Sequence, residues 1–117
     1  MSSVINIIEE QKGDVIILRV KGKLDSVISP SLEKKAFEFI HAGQNKLLLD
    51  LGEVSYINSA GLRMLLSVKK QVRALSGKFI VCALSREVLE ILKICGFDHV
   101  LEISKSEEDA LASFKAQ

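Results

Sequence analysis

The chain has 117 residues, of which 48% are hydrophobic and 26% charged, and its sixteen basic and fifteen acidic side chains leave a net charge of +1. This length fits one domain with one core, and the apolar content is too high for a disordered chain. The even balance of charge argues against wholesale binding to nucleic acid, which normally requires a basic face.

Targeting segments and reactive cysteines are also disfavoured. The first ten residues lack a basic segment followed by a long apolar one, so no signal peptide is predicted. No apolar run approaches the roughly 20 residues that span a bilayer, and the chain is expected in the cytoplasm without membrane contact. Cys82 and Cys95 lack the spacing of a metal or redox pair. Both are predicted to be buried thiols, and no metal or cofactor is expected.

Two strands and a helix open the predicted fold. Val4–Glu10 and Val15–Lys21 are rich in β-branched residues and flank a turn-like tetrad, which predicts a β-hairpin. Ser29 followed by Pro30 predicts the N-cap and the first helical position of a helix. Apolar residues at helical spacing then continue that helix.

A buried strand and a second helix come next. Lys46–Leu51 is a short apolar run, which suits a central strand covered on both faces. Gly52 to Asn58 is predicted to be a loop. The following helix has a broad apolar face and is predicted to begin at about Ser59, with this serine in the N-cap position.

The second half of the chain continues the alternation. Lys78–Leu84 is predicted to be a buried strand, Ser85 caps a helix that runs through Ile94, Val100–Ile103 is a short strand, and Ser106 opens a final helix in a capping-box pattern. This order predicts a single α/β domain. Its sheet is mixed but mostly parallel, with about five strands, an N-terminal β-hairpin and about four helices.

Ser59 is the most informative position for function. It lies where a strand leads into an amphipathic helix, and ligands and partners gather at such turns in open α/β sheets. On position alone, the serine would simply cap the helix. A helix N-terminus also offers free N–H groups and a partial positive charge, so it would tolerate a phosphate on the same hydroxyl.

The surrounding motif separates these two interpretations. The stretch from Leu47 to Leu62 resembles the signature of the STAS domain, and more narrowly that of the bacterial anti-sigma factor antagonists. That family has an apolar strand ending in Asp-Leu, then a loop, then Asp-Ser-Ala/Ser-Gly-Leu opening a helix. Val20–Asp25 resembles the family's Gly-x-Leu-Asp turn after the second strand. The chain departs from the pattern at Asn58, where the family usually has aspartate.

The resemblance implies a phosphorylation switch. In this family the unphosphorylated protein binds an anti-sigma factor, often a serine kinase, and thereby frees a sigma factor. Phosphorylation of the serine ends the interaction, and a serine phosphatase restores it. Ser59 would be the acceptor, and the protein would be a monomer or a weak dimer. The implied partner-binding positions are Asp25, Asn58, Ala60, Gly61, Leu62, Arg63 and Met64, the last of which fits the core equally well.

Three alternatives remain open. A STAS domain could serve only as a scaffold in a larger signalling, transporter or lipid-trafficking assembly. Asp50 at the end of an apolar strand would suit an aspartate-phosphorylated receiver, although a receiver begins with a βα unit and an early acidic pair. A serine hydrolase would need a base beside Ser59, yet Gly-x-Ser-x-Gly is absent and only His41 and His99 are available. The chain is therefore predicted not to be an enzyme.

Overall fold

The computed structural model describes residues 6–116, which form one five-stranded sheet and four α-helices. In chain order these are β1 (Ile7–Lys12), β2 (Val15–Leu24), α1 (Ile28–His41), β3 (Lys46–Ile57), α2 (Ser59–Ala74), β4 (Lys78–Cys82), α3 (Arg86–Ile94), β5 (Glu102–Ser104) and α4 (Glu107–Lys115). The strands lie side by side in sequence order. β1 is antiparallel to β2, and the other pairs are parallel. The predicted fold class is confirmed; the predictions on residues 1–5 lie outside the described residues.

The two faces of the sheet are covered unequally. Helices α1, α2 and α3 share one apolar core with the sheet, because three right-handed crossovers made in the same direction place their helices on the same face. Helix α4 alone covers the other face, through Ala110 and Phe114. Leu47 and Leu49 belong to the first core and Leu48 to the second, which explains the continuous apolar run of this central strand.

The segment predicted as a loop before Ser59 is a strand. β3 continues to Ile57 and pairs with the last residues of β2, beyond the point where β4 ends. Register shifts in this pairing fall on either side of Gly22, whose φ of +103° is available to glycine. Leu24 and Ile57, the last residues of the two strands, are buried and directly paired. This two-stranded extension is the platform on which α1 and α2 begin.

Other local predictions have mixed outcomes. Ser85 and Ser106 are N-caps as predicted, since their hydroxyls accept hydrogen bonds from backbone N–H groups at 3.2 and 3.1 Å. Cys82 is buried, but the prediction that Cys95 is buried is wrong, because it follows the last turn of α3 on the exposed side. The last strand was predicted to begin at Val100 but begins at Glu102, because a short 3-10 helix, Phe97–His99, precedes it. Within residues 6–116, no helix is both long and apolar enough to cross a membrane.

Candidate functional site

Asn58, and not Ser59, caps the second helix. Its Oδ1 accepts hydrogen bonds from the backbone N–H groups of Ala60 at 3.0 Å and Gly61 at 3.3 Å. Ser59 is the first residue of the helix, so the prediction that it is the cap is wrong. Serine and asparagine are about equally good caps, and the pattern Asn-Ser alone does not decide between them.

Because Asn58 takes the capping role, the Ser59 side chain is left free. It is exposed, and within residues 6–116 its hydroxyl takes part in no hydrogen bond of the structure. The first turn of α2 contains no acidic residue, so the partial positive charge of the helix N-terminus is not offset by a side chain of that turn. An exposed hydroxyl on such a turn is both accessible to an enzyme and compatible with a phosphate.

Asp25 caps the turn that leads into α1, three residues before the helix begins, whereas Asn58 directly precedes α2. Its Oδ1 accepts hydrogen bonds from the N–H groups of Ile28 at 3.1 Å and Val27 at 3.0 Å, and these two bonds hold the pKa of the carboxyl below its usual range. The prediction that Ser29 is the cap is wrong, since Ser29 lies in the first turn. The N–H of Asn58 donates to the backbone oxygen of the residue before Asp25 at 3.2 Å, so the two caps are neighbours.

Gly61 allows this close approach. A Cβ atom at this position would lie 2.6 Å from the backbone oxygen of Leu24 and 2.7 Å from Cγ1 of Ile57. Any side chain would therefore push the start of α2 away from the platform formed by β2 and β3. Gly61 is itself buried. It positions the site and does not offer a side chain to a partner.

The remaining candidate residues differ in exposure. Arg63 is exposed, while Asp25, Asn58, Ala60 and Leu62 are partly exposed. Met64 is 3% exposed and packs in the main core. This burial leaves little of the Met64 side chain on the surface, and the prediction that it contacts a partner stays a prediction. The core alternative for this residue is the correct one.

A groove of about 410 Å³ runs between the first turns of α1 and α2. Its lining consists of Ser26, Ser29, Pro30, Glu33, Ala60, Arg63, Met64 and Ser67. Beside the two caps, Val27 is 74% exposed and Tyr56 is 45% exposed. These side chains add apolar area to the surface around the two caps, but single exposed apolar side chains are ordinary, and Ile94 is 85% exposed elsewhere.

Sequence reasoning missed Val27 and Tyr56 as parts of this surface. Tyr56 was placed in a loop, where exposure carries no information, whereas it is exposed on a paired strand next to buried Ile57. Val27 precedes α1, and no motif marks it. A correct strand assignment for residues 52–57 would have drawn attention to Tyr56 alone.

A second groove lies at the opposite end of the sheet. It has about 500 Å³ and is bounded by the β1–β2 turn at Gly13, the start of β3 at Lys46, and Phe114 of α4. It therefore sits at the amino ends of β2 and β3, whereas partners and ligands of open α/β sheets gather at the carboxyl ends. Its larger volume does not make it part of the Ser59 site.

Asp50 belongs to an ionic cluster that fastens α4 to the sheet. The Arg19 guanidinium donates to both carboxylate oxygens of Glu107 at 2.6 and 2.9 Å and lies 2.7 Å from a carboxylate oxygen of Glu10. This pairing lowers the pKa of Glu107 to about 2. Burial, together with the neighbouring Glu107, raises the pKa of Asp50 to about 6, although the N–H of Gly52 donates to its Oδ1 at 2.7 Å. Asp50 lies within β3 and not at its end, so the prediction behind the receiver alternative is wrong.

Comparison with known proteins identifies the family. The model of the STAS domain matches residues 6–110, and the chain therefore belongs to the STAS domain family. BtrV of Bordetella bronchiseptica, named as a candidate anti-sigma factor antagonist, is 36% identical over 101 residues, which cover 86% of this chain and 87% of BtrV. The anti-sigma-B factor antagonist of Listeria monocytogenes is 30% identical over 86% of this chain and 88% of its own.

Solved structures show the same fold. The candidate anti-sigma factor antagonist of Thermotoga maritima superposes with a TM-score of 0.89 at 23% identity, over 93% of this chain and 94% of that one. The Bacillus protein SpoIIAA in its phosphorylated form superposes with a TM-score of 0.73 at 18% identity, over 92% and 97% of the two chains. The predicted resemblance to the anti-sigma factor antagonists is thus confirmed.

Proposed function

We propose that the chain is an anti-sigma factor antagonist that binds an anti-sigma factor through the surface around Ser59 and is released when Ser59 is phosphorylated. One observation carries the proposal. In a chain of this family, the serine of the family motif is exposed at the first position of α2, and its neighbours Asn58 and Gly61 serve to position it. The relatives named above supply the class of partner.

The switch acts at the interface and does not refold the domain. A phosphate adds about −1.5 to −2 charges at neutral pH. On an exposed helix N-terminus this changes the free energy of unfolding by only ~0.3–1 kcal/mol, against a total of about 5–15 kcal/mol for a domain. In a docked complex the same charge would have to be removed from water at the interface, which costs several kcal/mol, and every ~1.4 kcal/mol weakens binding tenfold.

The proposed partner is an anti-sigma factor that is itself a serine kinase, and a serine phosphatase reverses the modification. The chain acts as a binding protein and not as a catalyst. His41 ends α1, a helix of 14 residues and about 21 Å that begins beside the Ser59 site. His99 is exposed, and its imidazole lies 3.9 Å from a carboxylate oxygen of Asp98. Within residues 6–116, neither imidazole is hydrogen-bonded to the Ser59 hydroxyl, as a base that activates it would be.

Affinity capture from the native cell tests this function. The wild type and the variants Ser59→Ala and Ser59→Asp serve as baits, and captured proteins are identified by mass spectrometry. We expect the wild type and Ser59→Ala to retain the same serine kinase and Ser59→Asp to lose it. The purified kinase should then phosphorylate the wild type with ATP at Ser59, and it should leave Ser59→Ala unmodified.

A matched control is available on the same helix. Ser76 is exposed just past the other end of α2, so Ser76→Asp adds an equal charge far from the proposed docking surface. This variant should retain the kinase. Equal retention of kinase by Ser59→Asp and Ser76→Asp would contradict the switch and would favour the scaffold alternative.

A further inference from the structure

Arg63 lies one helical turn beyond Ser59 on α2. The two residues are four apart on α2, so they are neighbours on one helical face, with Cβ atoms about 6 Å apart. Both side chains are exposed. Within residues 6–116, no carboxylate lies within 4 Å of the Arg63 guanidinium. The guanidinium is therefore a free cation one turn beyond the proposed acceptor.

We propose that Arg63 is the built-in counter-ion of phosphorylated Ser59, so that this guanidinium holds the phosphate on its own helix, where the partial positive charge of the helix N-terminus also favours it. The proposal rests on the proposed function, because it requires Ser59 to be modified. A guanidinium presents paired N–H donors that match two phosphate oxygens, and phosphate carries more charge than any carboxylate nearby. Phosphorylation then withdraws Arg63 from the docking surface as well as adding negative charge to it.

The charged groups around Ser59 favour this pairing over its competitors. Glu33 on α1 lines the same groove as Arg63 but does not reach it. Asp25 faces the site from the turn before α1, and its carboxylate is already bound to two N–H groups of that turn. Lys23 on β2 is close enough to Asp25 to lower the pKa of that carboxyl, and it offsets part of its charge. Arg63 remains the one of these groups that is both cationic and on the helix of the acceptor.

One residue that lines the same groove carries a buried hydroxyl without a partner. Ser29 is 3% exposed and lines the groove opposite Ala60 and Arg63, and its Oγ has no hydrogen-bond partner. Buried hydroxyls without a partner are rare, and they mark a group that a ligand or water satisfies.

The test is a phosphorus NMR titration of the chain with phosphoserine incorporated at position 59 during translation. The second pKa of phosphoserine is about 6, and a cation paired with the dianion lowers it. We expect the second pKa to rise by roughly 0.3 units or more in Arg63→Gln, and by less in Arg63→Lys, which keeps the charge but loses the paired donors. The difference should shrink in high salt, because the pair is exposed.

Arg73→Gln is the matched control. It removes the same charge from the same helix, but it lies in the last turn, about 21 Å along the axis from Ser59 and beyond the Debye length of about 10 Å. Its titration should match that of the wild type. Equal pKa values in Arg63→Gln and Arg73→Gln would overturn the proposal.

A second measurement does not depend on substitution. The side-chain Nε–H signal of Arg63 in the wild type should shift and exchange more slowly after phosphorylation, and an unchanged signal would also overturn the proposal. Neither experiment needs the kinase or the anti-sigma factor. Failure of the Arg63 pairing is therefore distinguishable from failure of the proposed function, which the affinity capture tests separately.

Discussion

Helices α1 and α2 begin side by side, and the chain before each makes the same pair of side-chain to backbone bonds with a different charge, although Asn58 directly precedes α2 and Asp25 lies three residues before α1. In each, one Oδ1 atom accepts from the backbone N–H groups two and three residues further on: Asp25 does so for α1, and Asn58 for α2. The first helix is thus capped by an anion and the second by a neutral amide. The first turns of both helices are otherwise free of acidic residues.

This difference assigns separate roles to the two helix starts. The carboxylate of Asp25 offsets the partial positive charge at the N-terminus of α1, so this helix end attracts a further anion less strongly. Asn58 satisfies the same two donors without adding charge, and the positive end of α2 stays available to an anion on Ser59. The asparagine that departs from the family pattern therefore keeps the loop hydrogen bonds and removes a charge that would repel the phosphate.

Of the substitutions at the two helix starts, Gly61→Ala should destabilise the fold most. The added Cβ would lie 2.6 Å from the backbone oxygen of Leu24, so α2 must move away from the platform and the link between the two caps is lost. Overpacking of this kind costs about 3 kcal/mol of unfolding free energy at the upper end of its range. Urea denaturation measures this loss, and amide hydrogen exchange at Asn58 should accelerate because its bond to Leu24 is disrupted.

Gly13→Ala is the matched control for that substitution. Gly13 has a φ of +62° and open space around its Cβ position, so alanine there meets backbone strain but no clash. Strain of this kind costs roughly 1–2 kcal/mol and should leave exchange at Asn58 unchanged. Equal losses of stability with unchanged exchange in both variants would show that α2 does not depend on the close approach.

The architecture was predictable because apolar runs and helix periodicity are local signals. The order of strands and helices, the mostly parallel sheet and the start of α2 at Ser59 all follow from them. The strand over residues 52–57 was not predictable in this way. Gly52, Glu53 and Ser55 have little intrinsic β preference. They lie in the part of β3 that carries the extra residues of both register shifts, and this part is extended because it pairs with the end of β2.

The errors within the candidate site have a common cause. Ser29 and Ser59 were both predicted to be caps, but Asp25, four residues before Ser29, and Asn58, directly before Ser59, take the N–H groups instead. Local sequence offers two acceptable caps at each helix start, and the choice depends on the Asn58 bond to Leu24 across the β2–β3 platform. Burial of Met64 likewise depends on how α2 is rotated against the sheet. Exposure of Ser59 follows from the same rotation and remained a prediction until the fold was known.

Asn58→Ala should have a smaller effect than Gly61→Ala. It removes the acceptor of two backbone donors, and the loss of an N-cap costs about 1 kcal/mol. Amide exchange of Ala60 and Gly61 should accelerate in this variant. Ser106→Ala removes the cap of α4 at a similar cost and serves as the control, since it should leave both of these amides protected. Unchanged exchange at Ala60 in Asn58→Ala would show that the cap does not hold Ser59 in place.

Asp25→Asn should have the smallest effect on stability at neutral pH. Its main effect should be on how the free energy of unfolding falls at acid pH. Because the folded pKa of Asp25 lies below its unfolded value, its charge stabilises the fold above about pH 4, and that contribution is lost as the pH falls through the folded pKa. Asparagine keeps both N–H bonds, so the variant should lack this contribution, and its urea midpoint should approach that of the wild type once the pH falls below the folded pKa of Asp25. Asn58→Asp should show the reverse, gaining an acid-sensitive contribution at α2. Parallel pH profiles for the wild type and both variants would mean that the two caps are electrostatically equivalent, and the charge argument for Ser59 would lose its basis.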